Sequence, residues 1–129
     1  MVRIGLIINP VAGMGGSVGL KGTDGNVDEA IRRGAVPRAA QRAEETIAIL
    51  SHNPDIFFLT CSGAMGEDAL SAVGCRNFSV EYQSAEHSSG NDTKSAATKF
   101  QELGADLILF CGGDGTARDI FDAIGNSEI

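Results

Sequence analysis

Four short apolar runs, each bounded by turn residues, punctuate the chain: RIGLIIN (3–9), DIFFLT (55–60), FSVEYQ (78–83) and DLILFC (106–111). Runs of this length and framing predict β-strands. Three of them lack the strict alternation of a strand with one wet face, so the sheet they build is expected to be covered on both sides. Between the runs the apolar spacing changes to three and four. Ala40, Ala43, Ile47 and Leu50 follow it behind Pro37, a good first-turn residue. Ala96, Ala97, Phe100 and Leu103 follow it up to a stop at Gly104, and Ala117, Ile120, Phe121 and Ile124 repeat it near the end of the chain. Shorter helices are expected near 65–73 and 26–33. Strands alternating with helices predict right-handed crossovers and a mostly parallel sheet of about four strands between two helical layers, an α/β, Rossmann-like three-layer domain. There is no internal repeat and no low-complexity tail.

Length and charge narrow the partners. The 129 residues are enough for one domain around a single core. A net charge of −7, no Trp and one Tyr offer neither a phosphate-backbone footprint nor a stacking platform, which argues against nucleic acid. No apolar stretch reaches the roughly 20 residues of a membrane span, and VRIGLIIN at the start lacks the layout of a signal peptide. The three cysteines, Cys61, Cys75 and Cys111, are odd in number and lack metal spacing, so structural thiols in a reducing cytoplasm are expected.

Candidate chemistry gathers where strands hand over to helices. DLILFC passes without a spacer into GGDGTARDI (112–120). In an open parallel sheet ligands bind beyond the carboxyl ends of the strands, and a glycine turn there lets a ligand reach the N–H groups of the next helix. Gly112, Gly113 and Gly115 would form that turn, with Asp114 and Thr116 at its mouth. The alternative is a tight strand-to-helix turn in which Asp114 or Thr116 caps the helix. A second cluster follows the first strand: in NPVAGMGGSVGLKGTDG (9–25), six of the chain's 17 glycines fall between Gly13 and Gly25. The segment fails the dinucleotide pattern at Val18 and the P-loop pattern at Leu20. It still has the make-up of an anion cradle, with Gly13, Gly15 and Gly16 unhindered, Lys21 as cation, and the hydroxyls of Ser17 and Thr23. A flexible loop would carry the same glycines.

Two further features carry weaker signals. In HSSGNDTK (87–94), Ser89 and Asp92 have capping-box spacing, and the same helix start, with Asp92 and Thr93, would point at the ligand edge of the sheet. His87 beside Glu86 could shuttle a proton or simply lie on the surface. Arg32, Arg33, Arg38 and Arg42 form either an anion-facing patch or a solvated helix face.

The stretches INPVAG and CGGDGT, each following a strand, resemble the superfamily of NAD kinases and diacylglycerol-type lipid kinases. With GLKGTDG, DTKSAA and GGDGTARDI, the chain is similar to the archaeal and bacterial ATP-NAD kinase-like branch that also includes proteins of the acetoin-catabolism cluster. The resemblance implies phosphoryl transfer from ATP, or in some members polyphosphate, to the 2′-hydroxyl of NAD, with Mg2+. It assigns the nucleotide-binding turn to Gly112, Gly113, Gly115 and Thr116. It places Asp114 near the reacting hydroxyl, and Asn9, Gly13 and the loop to Gly25 in the first phosphate-facing segment. No metal-ligand set is assigned. A lipid or small-metabolite kinase, and a nucleotide-sensing domain without catalysis, are the alternatives.

The family has a second, β-rich domain that supplies much of the NAD pocket. Residues 1–129 are therefore expected to be a single N-terminal nucleotide-binding domain without the β-rich one, part of a longer enzyme and inactive alone. Small-molecule nucleotides are the expected partners, with neither nucleic acid nor membrane, and a homo-oligomer is compatible with the sequence. If the first and fourth strands are neighbours, loops 10–25 and 112–116 should face each other across one crevice. The first of these loops is expected to be mobile without ligand.

Overall fold

A computed structural model describes residues 1–12, 27–34, 38–85 and 88–129. Strands β1 (Val2–Ile8), β2 (Ile56–Cys61), β3 (Phe78–Tyr82) and β4 (Leu107–Cys111) alternate with helices α1 (Val27–Arg32), α2 (Ala39–Leu50), α3 (Glu67–Ala72), α4 (Gly90–Glu102) and α5 (Asp114–Ile124). Each of the four apolar runs is a strand, shifted by at most one residue at either end. The expected helix near 65–73 is divided, with a 3-10 turn at Gly63–Met65, then Gly66, then α3.

All three strand pairings are parallel and the order is β3-β2-β1-β4. The chain steps outward from β1 to β2 to β3, then returns to lay β4 on the other flank of β1. The order therefore reverses between β1 and β4, as the shared-crevice expectation required, and a crevice opens beyond the strand ends there. Ile4 lies opposite Leu107 and Ile8 opposite Cys111.

Alternation along the strands feeds two separate cores. Ile4, Leu6 and Ile8 of β1 point to the layer of α2 and α3, where they meet Ala43, Ile47, Phe58 and Leu70. Ile7 and Leu59 point to the opposite layer and pack with Ala96, Ala97, Phe100, Ile120 and Ile124 of α4 and α5. Because β1 is apolar toward both layers, its sequence reads as an unbroken run. Gly5 makes room in that run, since a Cβ there would stand 2.7 Å from Cδ2 of the fully buried Phe100. Among the described residues no helix is long and apolar enough to cross a membrane.

Candidate functional site

Asn9, the first residue past β1, is the hinge of the crevice. Its main-chain N–H donates to Cys111 O at 2.9 Å, continuing the β1–β4 pairing by one residue. Its side-chain Oδ1 accepts from Val11 N–H at 3.2 Å, and its Nδ2 donates to Thr116 Oγ1 at 3.3 Å. One amide thus fixes the exit of β1, the turn that follows, and the first turn of α5. Glycine is required at 112 because a Cβ there would fall inside the Thr116 side chain. With Gly112 in place, Thr116 is 5% exposed and holds its hydroxyl against Asn9.

A cavity of about 350 Å³ lies beyond these strand ends, walled by Asn9 and Val11, by Ser89, Gly90 and Thr93 at the start of α4, and by Thr116 and Asp119 of α5. Val27 and Met65 supply apolar wall. The first N–H groups of a helix have no partner within it, and the aligned peptide dipoles leave partial positive charge there. A helix start beside the cavity whose N–H groups no side chain caps therefore favours an anionic group. Asp119 is the exception in sign. It lies 4.0 Å from Lys94 Nζ, and α4 approaches it closely, since a Cβ on Gly90 would sit 2.7 Å from Asp119 Oδ2.

The two helix starts are finished differently. In α4, Ser89 and Asp92 make the capping box expected from their spacing, with Ser89 N–H donating to Asp92 Oδ2 at 2.9 Å. Tyr82 of β3 donates its hydroxyl to Asp92 Oδ1 at 2.8 Å. Burial pushes the Asp92 carboxyl up, but the Tyr82 and Ser89 bonds outweigh it and hold the group below its ordinary range. Tyr82 responds in the opposite sense, raised by burial and then by the Asp92 carboxylate. In α5 the N-cap is Gly113, extended and with no side-chain cap bond. This corrects the capping alternative for Asp114 and Thr116, which occupy the first turn itself. Glycine at the cap position has no side chain to accept from the first-turn N–H groups, and Asp114 and Thr116, already inside the helix, cannot serve as its N-cap.

Of the residues expected at the site, Asn9, Thr93 and Thr116 converge on the cavity. Gly112 and Gly113 form the turn behind Thr116, and Gly115 lies in the first turn of α5. Asp114 stands exposed at the head of α5, outside the residues that line the cavity. Asp92 is turned away to its cap and Tyr82. Gly13, Gly15, Gly16, Ser17, Lys21 and Thr23 lie outside the described residues, as do Pro37, Glu86 and His87, and with them most of the loop whose mobility was expected. Asp119, Ser88, Val27 and Met65 were not foreseen. Asp119 was within reach, because it follows Thr116 by three residues and so shares its helix face. Val27 and Met65 arrive only through the packing of distant segments.

The remaining candidates are quiet. Arg32 and Arg33 both pair with Glu29 on α1, as on a solvated helix face. Burial, helped by the Asp92 charge, pushes the Cys61 thiol up to about 12. Cys111 is also raised by burial, against the opposing pull of Arg42. Both are protonated at neutral pH and suit packing rather than nucleophilic attack.

A family described as the ATP-NAD kinase N-terminal domain matches residues 4–129. No curated protein and no solved structure matches the chain.

Proposed function

The chain belongs to the ATP-NAD kinase N-terminal domain family, and on that premise we propose that the β1–β4 crevice holds nucleotide phosphates during transfer from ATP, or from polyphosphate, to the 2′-hydroxyl of NAD. The observation that carries this reading is the 3.3 Å bond between Asn9 and Thr116, which ties the two family segments together over a cavity bordered by two helix starts. The N–H groups at the head of α5, unshielded by any side-chain cap, would cradle phosphate oxygens. The Thr93 and Thr116 hydroxyls and the Asn9 amide would orient them, and Asp119 would accept from a sugar hydroxyl.

Asp114 has the acceptor hydroxyl as its task. A hydroxyl attacking a phosphoryl group becomes acidic only as the new bond forms, so an exposed carboxylate can orient it early and take its proton late. Magnesium bound to the phosphates would neutralise the charge that develops on their oxygens. Among the described residues there is no group of three or more His, Cys, Asp and Glu side chains able to hold a metal. Magnesium sheds water reluctantly and is commonly held through phosphates with one or two carboxylates; Asp114 as that carboxylate is the rival to its role as base. The exposure of Asp114 supports an acceptor that approaches from the solvent side, where a β-rich second domain would complete the pocket.

The test measures the melting temperature of the 129-residue chain with Mg-ATP, NAD, NADP and polyphosphate, then NADP formation by the intact gene product that carries it. A ligand at 100 times its dissociation constant should stabilise the fold by about 2.7 kcal/mol. No shift with any of the four, together with no NADP formed, would overturn the nucleotide site. A shift with Mg-ATP accompanied by a phosphorylated lipid or small metabolite, and no NADP, would reassign the acceptor alone.

A further inference from the structure

A second cavity, of about 710 Å³, adjoins the first and differs from it in chemistry. Ser62, Gly63 and Ala64, which follow β2, and Ser84 and Ala85, which follow β3, form one side of it. Val11, Val27, Met65 and Ser88 line both cavities, so a molecule seated in one can extend into the other. Among the described lining residues of the second cavity there is no Lys, Arg or His, and the one charged group is the Asp28 carboxylate. Such a wall repels phosphate and suits a neutral group that donates hydrogen bonds.

The two serines that follow β2 and β3 are bonded to each other in a way that fixes what they can still do. Ser84 N–H donates to Ser62 Oγ at 2.8 Å, and Ser84 Oγ donates to Ser62 O at 3.2 Å. The two hydroxyl oxygens lie 3.2 Å apart, and with the Ser84 proton on Ser62 O, Ser62 is the donor between them. A hydroxyl has one proton and two lone pairs. Both protons are therefore spent, each oxygen keeps one lone pair, and the pair can only accept. The turn that carries Ser62 is braced in place. Gly63 N–H donates to Glu67 Oε1 at 3.0 Å, and a Cβ on Gly66 would overlap the Thr60 hydroxyl. Met65, 2% exposed, adds a polarizable thioether of the kind that packs well on aromatic rings.

We propose that this second cavity holds the base of the nucleotide whose phosphates occupy the β1–β4 crevice, and that the Ser62–Ser84 pair selects a base bearing an exocyclic amino group, as adenine does. The inference rests on the phosphate reading of the first cavity. An amino group brings N–H donors and no cationic charge, and the Ser62 and Ser84 lone pairs and the Asp28 carboxylate are acceptors without a competing proton. Val11, Val27 and Met65 supply apolar surface for the ring. Because they line the first cavity as well, the ribose has a continuous wall along which to join base to phosphates.

Calorimetric titration of the 129-residue chain with the magnesium complexes of tripolyphosphate, ATP and purine riboside triphosphate tests this. Tripolyphosphate fills only the first cavity, and ATP should bind at least about 10-fold more tightly. Purine riboside triphosphate, the same ring without the amino group, should bind roughly 3- to 10-fold more weakly than ATP. Ala64→Trp, at an exposed position on the wall of the second cavity, should erase the advantage of ATP and leave the affinity for tripolyphosphate unchanged, at an unchanged circular dichroism spectrum. Ser84→Ala, which releases the Ser62 proton, should bring ATP and the amino-free analogue to similar affinity and stands as the test if the Trp variant does not fold. Equal affinities of the wild-type chain for ATP and tripolyphosphate overturn the base cavity and leave the phosphate site standing. An ATP advantage that survives Ala64→Trp, or equal affinities for ATP and its amino-free analogue, also overturns it. Binding of none of the three overturns the phosphate reading and this inference with it.

Discussion

Helices α4 and α5 start on the same cavity, pack against each other and share one core, yet one start is closed and the other open. At α4 the side chains of Ser89 and Asp92 occupy the first-turn groups, and Tyr82 completes the Asp92 shell. At α5 Gly113 fills the cap position, and no side chain caps the first-turn N–H groups. The difference teaches where structure and chemistry are divided. A capped start is an anchor, because its polar groups are spent on the fold. An uncapped start keeps its electrostatic potential for a ligand, and with glycine at the cap this costs only about a few tenths of a kcal/mol relative to a side-chain cap.

The sharpest break of this contrast is Asp114→Asn. In the proposed reaction it lowers kcat for NADP formation by roughly 10²-fold or more, as loss of a positioned base does. Because no cap bond is made at Gly113 and Asp114 is exposed, its melting temperature should match wild type. Activity within a few-fold of wild type would return Asp114 to an ordinary first-turn residue.

The mirror experiment is Asp92→Ala, expected to cost about 2 kcal/mol by urea denaturation. It strands the half-buried Tyr82 hydroxyl and the Ser89 N–H together. Nucleotide affinity at the cavity should change far less than stability. Thr116→Val is expected to cost about 1 kcal/mol, since it leaves Asn9 Nδ2 without its partner at nearly constant volume. Here affinity for Mg-ATP should fall along with stability, because the same hydroxyl serves both.

The smallest effect is on acid stability. Asp92 titrates lower in the folded chain than in the unfolded one. Its contribution is therefore complete above the unfolded carboxylate range near pH 4, and is lost as pH falls through the lower folded value. Urea midpoints measured between neutral pH and pH 3 should fall less steeply for Asp92→Asn than for wild type. Equal slopes would mean that the Tyr82 and Ser89 bonds do not favour the charged form.

Local pattern was enough for the elements and for two of the turns. The RIGLIIN and DLILFC runs read as strands because each is apolar toward two layers, and the Ser89–Asp92 spacing read as a capping box because both partners lie within one helical turn. The glycines at 112 and 113 marked a turn at a strand end, and the residues themselves set that turn's openness. Which turns face each other was not local. Asn9 and Thr116 are separated by 107 positions and meet only because β4 returns to the flank of β1. Val27 and Met65 joined the cavity for the same reason, while Asp114, prominent in the motif, stands exposed outside its lining. The sequence by itself determined which segments could be strands, which could be helices and which helix start would be capped, since each depends on residues within one turn. Only the tertiary structure decided the shared crevice and its lining, because strand order is chosen by burial summed over the whole sheet rather than by any one segment.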